Sequence, residues 1–198
     1  MKLLLDVVFF IIIGFYIIRF IQVFIRMGSN IVLPTTPEER AVIRTHPDKV
    51  LDPPTFAKQK VGIMMYSIML LFIISMYFIG LTFNEINWSI YLLVLTPLTT
   101  SSNLLNLFAI TRDGIMNGMR FVPWHKIKSY EYKRIDLKHK YYGFSKEVNN
   151  KYELVIKTKS STIHCFVTSD EMKERLGDII DQHIHVTDSK TGTMTSIS

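Results

Sequence analysis

VGIMMYSIMLLFIISMYFIGLTF, residues 61–83, contains no Asp, Glu, Lys or Arg. A helix rises ~1.5 Å per residue, so the run covers the ~30 Å hydrocarbon thickness of a bilayer. An uncharged helix of that length has no place in a small soluble domain, and it is read as a membrane span. The other segments are then placed by the side of this span on which they fall.

Towards the N-terminus, residues 28–60 are polar and hold Pro34, Pro37, Pro47, Pro53 and Pro54. Thr36-Pro37-Glu38-Glu39 starts a helix: Thr36 caps, Pro37 suits the first helical position, and Glu39 completes a capping box. Pro47 disfavours helical geometry at His46, so the helix is expected to end near Thr45. The segment is read as a cytoplasmic linker with one short helix. Its Ala41, Val42 and Ile43 offer a face to the membrane surface or to the C-terminal half. Before it, residues 1–27 form a first transmembrane helix, apolar over 3–25 but interrupted by Asp6, Arg19 and Gln22. Arg19 lies about a turn and a half from the end of that run, so its guanidinium can snorkel to the headgroups. Arg19 and Arg26 are seven apart and share a face. A secretory signal is the competing reading, but no small-x-small cleavage site follows and the apolar run exceeds the usual ~7–15 residues.

Downstream, residues 84–87 make a tight connection and 88–110 a third uncharged run, so 61–110 is expected to be a transmembrane hairpin of helices two and three. The third run is polar in its middle, TPLTTSSN at 96–103. Pro97 removes a backbone donor and kinks a helix. Thr99, Ser102, Asn103 and Asn106 recur at roughly helical spacing and should face other helices rather than lipid. They either hydrogen-bond helix to helix at the kink or line the polar path of a small transporter or channel component. None is ionisable, which weighs against ion or proton conduction. Arg40, Arg44, Lys49, Lys58 and Lys60 lie in one loop, Arg112 and Arg120 follow the third run, and 84–87 has only Glu85. Basic residues mark the cytoplasmic side. The expected arrangement is a multi-pass cell-membrane protein with its N-terminus outside and its C-terminal domain in the cytoplasm.

From Ile110 the period changes. Residues 108–111 and 115–122 flank Arg112-Asp113-Gly114, and Asp-Gly is a hairpin signal. Residues 127–137 and 152–158 alternate, and 162–167 makes another strand, with turns at Asn149-Asn150 and 159–161. Thr168-Ser169-Asp170-Glu171 reads as a second capping box. The helix it opens carries Met172, Leu176, Ile179, Ile180 and Ile184 on one stripe. The fold class is a three-helix membrane anchor plus an α+β domain, an antiparallel sheet with a C-terminal helix over 108–185. The polar 186–198 is expected to be a disordered tail.

ITRDGIMNGMRFVPWHKIKSYEY, residues 110–132, resembles the start of a bacterial pleckstrin-homology-like domain. In such membrane proteins, helices precede a strand ending in a D/E-G-I turn, and a second strand leads to an I/V-P-W-x-x-I step. The matching residues are Asp113, Gly114, Ile115, Val122, Pro123, Trp124 and Ile127. The resemblance covers about 108–184 and implies a binding or assembly module without catalytic residues. Five strands are legible, against seven in a full pleckstrin-homology fold. Without the family, Trp124 and Ile127 can bury where one strand turns into the next.

The net charge of +6 is compatible with nucleic acid, but the basic residues flank apolar spans, which points to a membrane surface. One cysteine excludes an internal disulfide, and Cys165 has no adjacent base. His125, His139, His164, His183 and His185 repeat no known ligand spacing. No phosphate-binding glycine loop, nucleophile elbow or H-E-x-x-H occurs. The expectation is a non-enzymatic membrane protein with no metal or cofactor. Its partners are membrane lipids and another membrane or cytoplasmic protein, not nucleic acid; oligomeric state stays open. A membrane immunity-type protein is a further alternative that no residue specifically supports. Lys126, Lys128, Lys133, Arg134, Lys138 and Lys140 are the candidate lipid- or partner-binding set, each basic residue near an anionic surface contributing ~1 kcal/mol.

Overall fold

In the computed structural model the described residues are 2–27, 31–82, 92–93, 95–98, 101 and 104–193. Helix α1 (Lys2–Arg26) and helix α3 (Phe56–Thr82) are each long and apolar enough to cross a membrane. They run antiparallel. Tyr77 donates to Asp6 O (3.3 Å), Tyr66 donates to Tyr16 O (3.4 Å), and Phe24 meets Phe56 at a centroid distance of 4.7 Å. Phe10, Ile11, Phe15 and Ile18 on α1, and Met64, Ile68, Leu71 and Phe72 on α3, are exposed.

The third span is not shown. Of the run 88–110, residues 92–93 and 95–98 are helical, but 104–107 are not, and Phe108 opens a strand. The apolar end of that run has another cause. Strand β3 (Phe108–Thr111) is buried on both faces, and such a strand reads as a continuous apolar run.

The strands form two four-stranded antiparallel sheets. The first has the order β1 (Ile31–Leu33), β3, β4 (Gly114–Asn117), β5 (Arg120–Pro123). The second has the order β2 (Ile43–Arg44), β8 (Thr162–Val167), β7 (Tyr152–Thr158), β6 (Ile127–Arg134). Between the sheets, Phe108, Ile110 and Ile115 meet Leu154, Ile156 and Cys165. Helix α4 (Asp170–Thr193) adds Met172, Leu176 and Ile180 to this core, with Ile179 and Ile184 partly buried against it, the stripe its spacing predicts. The helix runs past His185 to Thr193, and 194–198 lie outside the described residues. On the outer face of the first sheet, Ala109, Met116 and Met119 pack with Val23, Met27, Leu70 and Leu98. That sheet therefore lies between the inner core and the helical hairpin.

Residues 28–60 are more than a linker. Helix α2 (Pro37–Val42) has the expected capping box, with Glu39 N donating to Thr36 Oγ1 at 3.2 Å. It ends at Val42, three residues before Thr45, because Ile43 and Arg44 pair with Val167 and Phe166. Ile31 and Leu33 pair with Thr111 and Ile110. The Leu33–Pro34 peptide is cis. Each sheet thus takes an edge strand from the loop joining the two apolar helices.

Two local readings shift. The span 115–122 is two strands, β4 and β5, turning at Gly118, whose φ of 55° favours glycine. The second helix start is capped by Ser169, whose Oγ accepts from Met172 N (3.4 Å), while Thr168 instead donates to Val42 O. Asn150, with φ 62°, makes the expected turn.

Candidate functional site

Phe15, Ile18, Arg19 and Gln22 recur at i, i+3, i+4 and i+7, one face of α1. They form one wall of a cleft of about 400 Å³ beside the first sheet. Arg120, Phe121 and Val122 of edge strand β5 form the opposite wall. Lys126, in the 3-10 turn Trp124–Lys126, and Thr158, Ser160 and Ser161 of the β7–β8 turn close the end.

That turn is closed by its own hydrogen bonds. Thr158 Oγ1 donates to Ser161 O (2.6 Å) and accepts from Ser161 N (3.0 Å). Lys159 N donates to Lys126 O (3.0 Å), which fixes the turn against the 3-10 segment. The 3-10 segment is itself anchored. Trp124 is buried, donates from Nε1 to Arg112 O (2.9 Å) and stacks on His183 at 4.2 Å. Trp124 and Ile127 therefore bury at the strand junction as expected.

The cleft is cationic. Arg19 sits 5.2 Å over the Phe15 ring, and Arg19 and Arg120 line the cleft from opposite walls. Arg120 Nε is buried without a hydrogen-bond partner. No Asp or Glu lines the cleft among the described residues. Arg26, sharing Arg19's face, lies 3.8 Å over the Phe121 ring and so also meets β5.

The predicted basic residues are placed on several elements. Lys126 belongs to the cleft. Lys128 is exposed on β6. Lys133 lies 3.3 Å from Glu131, which also pairs with Lys157 at 3.3 Å; these two lysines hold the Glu131 carboxyl below its usual range. Arg134 ends β6, roughly 23 Å along the strand from Ile127. Lys138 is exposed, and Lys140 stands 4.5 Å over the Tyr141 ring.

Thr99, Ser102 and Asn103 lie outside the described residues. Asn106 is described and serves as a joint. Its Oδ1 accepts from Thr45 Oγ1 (2.6 Å), and its Nδ2 donates to Val50 O (2.6 Å) and Asp52 Oδ2 (3.1 Å). Its carbonyl accepts from Gln59 Nε2 and Asp52 N, both at 3.2 Å. Both side-chain donors and one acceptor site are thus used in fastening residues 45–59 to the start of β3.

Sequence reasoning missed two further polar clusters. Buried Glu153 receives His139 at 3.0 Å and His164 at 2.9 Å, holding the loop after β6 against the outer face of β7 and β8. Glu39 accepts from Thr35 N and Thr36 N and pairs with Arg175 of α4. Burial pushes its carboxyl up, but these donors outweigh it and hold Glu39 below the usual carboxylate range. Cys165 is buried, and burial pushes its thiol far up, so it packs in the strand rather than offering a thiolate.

Residues 106–185, from the Asn106 joint through most of α4, match the model of a family described as Domain of unknown function (DUF5673). No curated protein and no solved structure matches the chain.

Proposed function

We propose that this chain is a membrane-anchored, non-enzymatic module that holds a two-sheet binding domain against the cytoplasmic face of the cell membrane. The observation that carries the proposal is the stitching of the anchor into the domain. Two helices with exposed apolar faces are joined by a loop that supplies one strand to each sheet. A large contiguous apolar surface needs an apolar partner. Lipid supplies one along both helices, while the domain beside their α1-end and α3-start is closed around its own core. The pleckstrin-homology-like reading is supported by two antiparallel sheets with a C-terminal helix packed against the core between them; the sheets hold eight strands, two of them supplied by the loop. Protein or lipid recognition, not chemistry, suits a domain built this way.

Reporter fusions after residues 86 and 198 test the topology. A cytoplasmic signal at 198 and an external one at 86 is the expected result. A cytoplasmic signal at 86 would overturn the sidedness. Crosslinking in native membranes then identifies any protein held by the domain.

A further inference from the structure

We propose that the cleft between α1 and β5 binds the phosphoryl headgroup of an anionic phospholipid, with Arg19, Arg120 and Lys126 as its ligands. The inference rests on the membrane reading above and names what that module recognises there.

Three cations converge on one cleft without a lining carboxylate. Arg19 on α1 and Arg120 on β5 line the cleft from opposite walls. Two like charges on facing walls repel, so the arrangement suits an anion held between them. A guanidinium presents five donors in a planar fork, matched to phosphate oxygens. Gln22 and the hydroxyls of Ser160 and Ser161 add neutral donors at the rim.

The source of the phosphoryl group follows from depth and lining. In the antiparallel hairpin, residue 24 lies beside 56, residue 20 beside 66, and residue 6 beside 77. Lys60, the last charge before the apolar run of α3, therefore falls opposite about residue 23 of α1. Arg19 is about one turn, roughly 6 Å, deeper. That is headgroup and glycerol depth. Phe15 and Ile18 border the same cleft and are exposed, giving an acyl chain an apolar track directly below the cations. A soluble phosphate would have no use for that track.

The test uses the full chain in nanodiscs of phosphatidylcholine with or without phosphatidylglycerol. Native mass spectrometry counts the lipids retained, and thermal melting reports the fold. The wild type should retain phosphatidylglycerol and melt higher in its presence. R120Q and R19Q should each lower retention about tenfold. Both should melt in pure phosphatidylcholine no lower than the wild type, since each substitution relieves the repulsion. The double variant Lys133→Gln, Arg134→Gln, at the far end of β6, should retain the lipid normally. An equal loss in that double variant would overturn the site in favour of diffuse attraction. Stabilisation in phosphatidylcholine by inorganic phosphate, as large as that by phosphatidylglycerol, would overturn the lipid source. Release of the wild type from membranes by alkaline wash overturns the membrane reading and the site together. A chain that stays in the membrane yet retains both lipids alike overturns the site alone.

Discussion

A Cβ added at Gly62 would stand 2.6 Å from Leu105 Cδ2 and 2.7 Å from the Leu104 carbonyl oxygen. The side chain can shift, but the backbone oxygen cannot without moving α3 away from residues 104–105. Gly62→Ala should therefore cost about 1–3 kcal/mol, read as a lower melting temperature in detergent. Gly114 is tighter still, its added Cβ lying 2.2 Å from Val122 O. The Asp113-Gly114 pair signals a hairpin in the sequence, and a hairpin forms. Yet Thr111 pairs with Gly114, so the turn residues are Arg112 and Asp113, and the glycine is needed for close strand approach. Local sequence could announce the turn but not the neighbour across β5. Glu39 supplies a pH test. Its folded carboxyl is held below the usual value of 4.5, so its stabilisation is present above that pH and is lost as pH falls through the folded value. The melting temperature of the wild type should fall in that acid window, whereas Glu39→Gln, lower by ~1–2 kcal/mol at neutral pH, should show a flatter profile there.

At the scale of elements, legibility tracks length and periodicity. Helices α1 and α3 are announced by their uncharged runs, α2 by its cap, and α4 by a stripe at helical spacing. Leu176→Ala or Ile180→Ala should cost about 2–5 kcal/mol, because both side chains are fully buried in the core between the sheets. Leu137→Ala, at 80% exposure, should move the melting temperature little. Strands β1 and β2 are three and two residues long, too short to show a period, and their partners lie far along the chain. The cationic cleft was half legible. Arg19 and Gln22 stand out as interruptions of an apolar helix, and Lys126 as part of a basic run. Arg120 and the Ser160-Ser161 turn join them only through sheet topology, which no local signal carries.

For the whole molecule, the two-sheet domain is incomplete without the loop between the apolar helices. A fragment spanning 106–185 would lack β1 and β2 and so leave β3 and β8 as bare edges. It would also expose Ala109 and Met116, which pack against the hairpin in the full chain. Unpaired edges beside apolar surface pair with other chains. The fragment should therefore elute as oligomers or aggregate, while the full chain in detergent unfolds cooperatively. A monomeric fragment with a sharp unfolding transition would show that the loop strands are dispensable. The same wiring sets an order of synthesis. Ile31 pairs with Thr111, made 80 residues later, and Ile43 pairs with Val167, made 124 residues later. At about 5–20 residues per second, β1 waits roughly 4–16 s for its partner and β2 longer. Both apolar helices have been translated in full by then, so the ribosome delivers the helical hairpin first and the domain closes around a loop already joined to a helix at each end.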